Sequence, residues 1–150
     1  VKFRTDVASM CKLGFDIDLQ SLTPDELRFC REAVANWKCL APVTMDGEQY
    51  RLVSPYDGNH IAVNYVSQDR SRAVLFAYDI HPRYQEKLQR VRLQGLDPDR
   101  TYTVREINLM PGVKSTLKAD GKAFTGDYLM KVGLDVFGFA DMQSRVVVLE

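Results

Sequence analysis

The spacing of apolar residues changes near residue 46 and divides the chain into two parts. Residues 3–11 place Phe, Val, Met and Cys three or four positions apart, which predicts one face of a helix. Leu13–Leu19 alternates apolar residues with glycine and aspartate, which predicts a strand. Thr23–Glu26 has the residues of a capping box and predicts the start of a second helix. We expect this helix to end at Pro42, because proline lacks the backbone N–H that an interior helical position donates.

The second part of the chain consists of short apolar runs separated by turn-forming residues. Runs that are joined by such short turns leave no room for crossover helices, so antiparallel pairing is expected. The run Ala73–Ile80 is almost wholly apolar and is predicted to be a central strand. The candidate strands are Gln49–Ser54, His60–Ser67, Arg72–Ile80, Glu86–Gln94, Thr101–Asn108, Asp127–Val132 and Arg145–Glu150.

These patterns predict a mainly β protein with two parts. Residues 46–150 are expected to form an antiparallel β-sandwich of the Greek-key type. Residues 1–45 read as helix, strand and helix, which is a piece of an α/β structure, because a single strand has no sheet to join. We therefore expect the chain to be the terminal part of a larger enzyme.

Composition and charge narrow the classes of partner. Lys and Arg total 20 and are balanced by 20 Asp and Glu, without a basic cluster, so neither nucleic acid nor a membrane surface is an expected partner. The cysteines Cys11, Cys30 and Cys39 are odd in number and lack paired spacing, so we expect neither a disulfide framework nor a metal site. Free thiols slightly favour a cytoplasmic over a periplasmic location.

Three aspartates near the start are the candidates for glycosidic chemistry, which requires two carboxylates facing one bond. Asp16 and Asp18 share one face of the predicted strand and would lie about 6 to 7 Å apart along it. Since α/β active sites lie at the carboxyl ends of strands, we predict that both line the rim of a substrate site. Asp6 is the third candidate, and the alternative for Asp18 is a surface or capping carboxylate just before the second helix.

Histidines and tyrosines offer weaker signals. His60 and His81 each stand alone, without the nucleophile that an activated pair requires. Tyr65 lies within apolar alternation and is expected in the core, as is Tyr78, whereas Tyr56 and Tyr84 are expected to be exposed. Exposed aromatic rings stack on sugars, so a non-catalytic carbohydrate-binding or protein-interaction module is the alternative function.

Several runs of residues, taken in order, carry a family resemblance. Phe3–Leu19 is similar to the run Arg-x-x-Val-Ala-Met-x-Gly-x-Leu-Gly-Tyr-Glu-Leu-Asp, and Tyr50–Tyr56 to the run that opens a last domain. Leu93–Pro98, Tyr102–Ile107 and Gly126–Met130 add further matches. Together they resemble the C-terminal end of bacterial α-galactosidases of glycoside hydrolase family 36. Ser9 and Cys11 depart from the family pattern, which has Met and Gly there.

The resemblance implies a parent enzyme with a (β/α)₈ barrel followed by a β-sandwich. Gly14–Leu19 would be the last barrel strand and Pro24–Leu40 the last barrel helix. The enzyme would hydrolyse terminal α-galactosyl groups with retention, using two aspartates and neither a metal nor an organic cofactor, as a possible homo-oligomer. The Lys-Trp-Asp and Cys-x-x-Gly-Gly-Gly-Arg-Phe-Asp runs that carry those aspartates are absent from the sequence, so no residue here is expected to be catalytic.

Overall fold

A computed structural model describes residues 1–86, 88–138 and 140–150. Within these residues the chain forms helices mainly in its first third and antiparallel strands thereafter. The elements are α1 (Lys2–Ala8), a 3₁₀ turn (Leu19–Ser21), α2 (Pro24–Asp46), β1 (Glu48–Val53), β2 (His60–Val66), β3 (Ala73–Asp79), β4 (Thr101–Ile107), β5 (Ala123–Thr125), α3 (Gly126–Lys131) and β6 (Gln143–Leu149). None of the helices in the described ranges has the length and apolarity that a membrane crossing requires.

The strands form one sheet in the order β1-β2-β3-β6-β4-β5, with every neighbouring pair antiparallel. The last strand, β6, lies between β3 and β4, so β1–β3 and β4–β5 are joined into one sheet only through β6. All residues of β3 are buried, which confirms Ala73–Ile80 as a central strand covered on both faces. The predicted mainly antiparallel β fold is confirmed.

One face of the sheet, here called the helix face, packs against α1 and α2. It presents Val74, Phe76 and Tyr78 of β3, which contact Leu40 and Val43 of α2. Phe3 of α1 meets the Tyr78 ring edge-on, with 5.6 Å between the ring centroids. The helices therefore complete a core that the sheet begins.

The opposite face, here called the loop face, is covered by segments with little regular structure. Val91 and Leu134 form an isolated bridge, with both N···O distances at 2.9 Å. Asn64 of β2 ties this layer to the sheet, because its side-chain amide donates to Gln94 O at 3.0 Å and accepts from Gln94 N at 3.3 Å. Buried leucines and valines of residues 91–96 and 129–136 fill the space between the layers.

The N-terminal part differs from the prediction in two places. No strand forms at Leu13–Leu19, although Leu13, Phe15 and Ile17 are half-buried and the residues between them are exposed. The alternating burial is present without a neighbouring strand for the peptide groups to pair with. Helix α2 does not end at Pro42 but continues to Asp46, because the packing of Leu40 and Val43 on the sheet outweighs one lost hydrogen bond.

The β part differs from the prediction in three places. Glu86–Gln94 is not a strand beyond the single bridge at Val91, and Lys87 within it lies outside the described residues. Asp127–Val132 belongs to α3 rather than to a strand, since the Thr125 hydroxyl accepts from Tyr128 N at 3.2 Å and caps a helical turn. The sequence analysis did not predict the short strand β5, because Phe124 is its one large apolar residue.

The change of pattern near residue 46 coincides with the point where α2 meets β1, at Gly47. A Cβ atom on Gly47 would lie 2.3 Å from the Val43 carbonyl oxygen and 2.4 Å from the Val66 carbonyl oxygen. Both atoms belong to backbone that is fixed by the helix and the sheet. The junction therefore has no space for a side chain.

We expect Gly47→Ala to lower the free energy of unfolding by about 2 kcal/mol, because the backbone must shift to accept the methyl group. Gly14→Ala is the matched control, since no atom lies within 4 Å of a Cβ there, and it should change the value by less than about 0.5 kcal/mol. Urea denaturation followed by circular dichroism measures both. Equal stability of the two variants would contradict the tight junction.

Candidate functional site

The two predicted rim carboxylates lie on the surface of residues 13–18. Asp16 is exposed and borders a cleft of about 170 Å³ together with Arg4 and Phe15. Asp18 is also exposed, and its Oδ1 accepts from Gln20 N at 2.9 Å, so that it caps the 3₁₀ turn. The capping alternative for Asp18 is therefore present in the structure, and the rim position of both residues stays a prediction.

The third aspartate, Asp6, is fully buried between α1 and the sheet. Its Oδ2 accepts from the Ser144 hydroxyl at 2.6 Å and lies 2.5 Å from the Lys2 ammonium. Its Oδ1 accepts from the Asn108 amide at 2.8 Å, and Asn108 in turn accepts from Asn36 of α2 at 2.8 Å. Asp6 thus links both helices to the ends of β4 and β6 and has its oxygens occupied by structural partners.

Tyr78 of β3 adds a contact to the backbone of the same residue. Its hydroxyl donates to Asp6 O at 3.0 Å. Burial raises the pKa of Tyr78 well above its ordinary value, and the nearby Asp6 carboxylate adds to the shift. Tyr78 therefore stays a neutral donor, and its predicted place in the core is confirmed, as is that of Tyr65.

A second polar cluster lies at the end of the β2–β3 hairpin. His60 Nδ1 lies 2.6 Å from Asp79 Oδ1, and Asp79 Oδ2 accepts from Gly138 N at 2.8 Å. The His60 ring packs on Phe137, with 4.7 Å between the ring centroids. Burial raises the pKa of Asp79, while its hydrogen bonds from Gly138 and His60 oppose the rise. His60 Nε2 faces Glu86 Oε2 at 3.6 Å.

Sequence reasoning treated His60 as standing alone and missed this cluster. The signal that could have found it is the turn-forming run at residues 68–71, between the candidate strands His60–Ser67 and Arg72–Ile80. A hairpin centred between Asp69 and Arg70 pairs His60 with Asp79, and opposite residues of an antiparallel pair point to the same face. The contribution of Glu86 could not be found in this way, because it follows an irregular segment.

A groove of about 1030 Å³ opens beside this cluster on the loop face. The β1–β2 hairpin forms one wall. The other wall is formed by Glu86, Gln89, Arg90, Val91, Arg92 and Gln94 together with Lys131, Val132 and Phe137. Next to it, a cleft of about 590 Å³ lies between the loop 55–59 and the loop 83–86. The two share Asp57, Gly58 and Glu86, so they form one continuous depression.

Two tyrosines stand at the smaller cleft. Tyr56 is 96% exposed and Tyr84 is 93% exposed, as the sequence predicted. The other isolated histidine, His81, follows the end of β3 and makes an exposed contact with Asp141 at 3.0 Å. His81 therefore lies just beyond a strand end.

Comparison with known proteins identifies similar chains along the whole length. Residues 60–149 match the family model of the glycosyl hydrolase family 36 C-terminal domain. The chain is 32% identical over 152 residues to the probable alpha-galactosidase G of Aspergillus terreus, and the match covers 100% of this chain and 19% of that protein. The chain thus spans about a fifth of the length of that curated relative.

Solved structures show the same architecture. The GH36 alpha-galactosidase AgaB from Geobacillus stearothermophilus has a TM-score of 0.82 at 29% identity, covering 98% of this chain and 18% of that chain. A variant of alpha-galactosidase AgaA from the same organism, in complex with raffinose, has a TM-score of 0.82 at 28% identity, covering 98% of this chain and 19% of that chain. The similarity therefore includes the N-terminal helices as well as the sheet.

We expect Asp6→Ala to lower the free energy of unfolding by about 3 kcal/mol, because it leaves the donors of Lys2, Asn108 and Ser144 without their shared acceptor. Asp16→Ala removes an exposed carboxylate and should change the value by less than about 0.5 kcal/mol. Both variants are compared with the parent chain by urea denaturation. A loss at Asp6 no greater than the loss at Asp16 would show that the network does not hold the helices to the sheet.

Proposed function

Because this chain belongs to the glycosyl hydrolase family 36 C-terminal domain family, we propose that it is the C-terminal part of an α-galactosidase. The observation that carries the proposal is the extent of the similarity. Alpha-galactosidase relatives match the chain from end to end, including residues 1–59, which precede the stretch that the family model matches. The helices and the sheet are therefore inherited together from this class of enzyme.

The proposed reaction is hydrolysis of terminal α-galactosyl groups with retention of configuration. In such a reaction one carboxylate attacks the anomeric carbon while a second protonates the leaving oxygen, and water then releases the sugar. We propose that both carboxylates belong to other parts of the enzyme, since their motifs are absent from the sequence. Relatives in complex with raffinose and with stachyose support α-galactosides as the substrate class.

The proposed role of this chain is to support the barrel and to contribute contact surface. The Asp6 network and the helix face fix α1 and α2 on the sheet, which supports a role in positioning both helices against a barrel. Large apolar side chains remain exposed in residues 1–46 and favour contact with the rest of the enzyme or with a second copy in a homo-oligomer. They are Val7, Leu19, Leu27 and Met45.

A second candidate role is carbohydrate binding by the sandwich itself. It is favoured by the exposure of Tyr56 and Tyr84 beside one cleft. Such binding is compatible with the first role, because the cleft is formed by loops of the β part and does not involve α1 or α2.

We expect this 150-residue chain to show no turnover of a chromogenic α-galactoside, whereas the full-length enzyme that contains it hydrolyses the same substrate. The physical reason is that the double displacement requires both carboxylates at one bond. A colorimetric assay of the two proteins at equal concentration measures this. Turnover by the chain above the buffer rate would overturn the assignment of catalysis to other parts, and a full-length enzyme inactive on every α-galactoside would overturn the proposed activity.

Asp16 is the better rim candidate, because Asp18 already serves as a cap. In the full-length enzyme, we expect Asp16→Asn to raise KM for raffinose about fivefold, the value of one lost hydrogen bond, and to leave kcat nearly unchanged. Asp18→Asn is the matched control and should leave KM within about twofold. Steady-state kinetics of both variants provide the measurement. An unchanged KM in Asp16→Asn would remove Asp16 from the site.

A further inference from the structure

The exposed tyrosines occupy an unusual position for large aromatic side chains. Tyr56 and Tyr84 are almost entirely in water, yet both line the same cleft of about 590 Å³. Aromatic rings normally bury much of their surface, and exposed aromatic surface at a depression is typical of a binding site. The cleft is also within the size range of small-molecule pockets.

The loops that carry the tyrosines are fixed relative to each other. Ile80 N donates to Asn59 O at 2.9 Å and joins the two loops beyond the ends of β2 and β3. The Glu86 carboxylate accepts from Arg83 N at 2.8 Å, which closes a tight turn, and this hydrogen bond lowers the pKa of Glu86. Gln85 in the same turn has a φ of 62°, a left-handed conformation that a non-glycine residue adopts at a cost. The cleft is therefore preformed.

The adjoining groove supplies polar groups at its walls. His60 is 8% exposed and borders the groove. Its Nε2 makes no hydrogen bond within the described residues, since the facing Glu86 Oε2 lies 3.6 Å away. Gln89 and Gln94 line the opposite wall of the groove. A buried polar atom without a partner is costly unless something completes its hydrogen bond.

The charges around the depression favour a neutral ligand. Arg90 is paired with Asp135 at 3.1 Å, and Lys131 is paired with Asp127 at 2.7 Å. Among the described residues that line the depression, the remaining cations Arg83 and Arg92 are balanced by Asp57 and Glu86. An anionic ligand would therefore gain little net attraction.

We propose that the cleft between Tyr56 and Tyr84 binds a neutral oligosaccharide, with further sugar units in the adjoining groove. A pyranose ring has an apolar C–H face that packs on a tyrosine ring and hydroxyl groups at its edge that exchange hydrogen bonds with amides, imidazole and carboxylates. The pair of exposed rings beside a polar, charge-balanced groove matches both parts of this ligand. Binding of this kind would hold substrate on the enzyme.

Raffinose is the probe, and this choice of sugar rests on the proposed function. Isotope-labelled chain is titrated with raffinose, and backbone amide shifts are followed by NMR. We expect saturable shifts at residues 55–59 and 83–86. Tyr56→Ala and Tyr84→Ala should each weaken Kd about fivefold, and Tyr84→Phe, which keeps the ring, should stay within about twofold of the parent chain.

The control variant is Val113→Ala, which removes an exposed apolar side chain that borders neither the cleft nor the groove and should bind raffinose like the parent chain. Thermal unfolding of each variant verifies that it is folded. Absence of saturable shifts up to roughly 50 mM raffinose overturns the proposal. Shifts that persist with unchanged Kd when both tyrosines are alanine also overturn it, because the sugar then binds elsewhere.

This binding does not require catalysis, so the two proposals fail independently. A full-length enzyme that hydrolyses raffinose, together with a chain that does not bind it, contradicts only the tyrosine cleft. A chain that binds raffinose with the expected tyrosine dependence, together with a full-length enzyme inactive on α-galactosides, contradicts only the proposed activity.

Discussion

The arrangement of the helices on the sheet depends on the hydrogen bonds that the buried Asp6 carboxylate accepts. Helix α1 has seven residues, far fewer than the about 12 to 15 that an isolated helix needs to persist in water. It is held by Asn108 and Ser144, which reach the Asp6 oxygens from the ends of β4 and β6, while Lys2 of the same helix contacts Asp6 Oδ2. Because Asn108 also accepts from α2, one carboxylate couples both helices to the sheet. Because hydrogen bonds to a buried carboxylate are directional, they fix the orientation of the helices on the sheet as well as stabilising the contact between them.

The centre of the sheet is covered on both faces, and this explains the sequence of its central strand. A sheet with one solvated face alternates apolar and polar residues, as β4 does, whereas β3 is apolar at nearly every position. The polar exceptions in the buried strands connect layers. Asn64 joins the sheet to the irregular segment at Gln94, and Tyr78 joins it to α1. Buried polar groups therefore occur at the points where one layer is fixed in position on the next.

Most of the regular strands could be predicted from the sequence, because their apolar runs are long and bounded by clear turns. The capping box at Thr23 and Glu26 was equally readable, since both reciprocal hydrogen bonds are local. The predictions were wrong where contacts between distant residues determine the secondary structure. Helix α2 continues through Pro42 because the sheet packs on it. Leu13–Leu19 forms no strand because no described strand lies beside it. Of the candidate sites, the exposure of Tyr56 and Tyr84 was predictable, whereas the contact of His60 with Glu86 depends on the path of an irregular loop.

The junction of α2 and β1 at Gly47 limits how this architecture can be exchanged between proteins. The change of periodicity there resembles a domain boundary, yet the helix face of the sheet is covered by Leu40 and Val43, which precede the junction. A polypeptide that began at Gly47 would present Val74, Phe76 and Val148 to water. The sheet is therefore not a unit that can be transferred alone, because recombination at Gly47 would leave the helix face of the sheet exposed to water. A viable exchange must carry α2 along, so the unit of inheritance is larger than the unit that the secondary structure suggests.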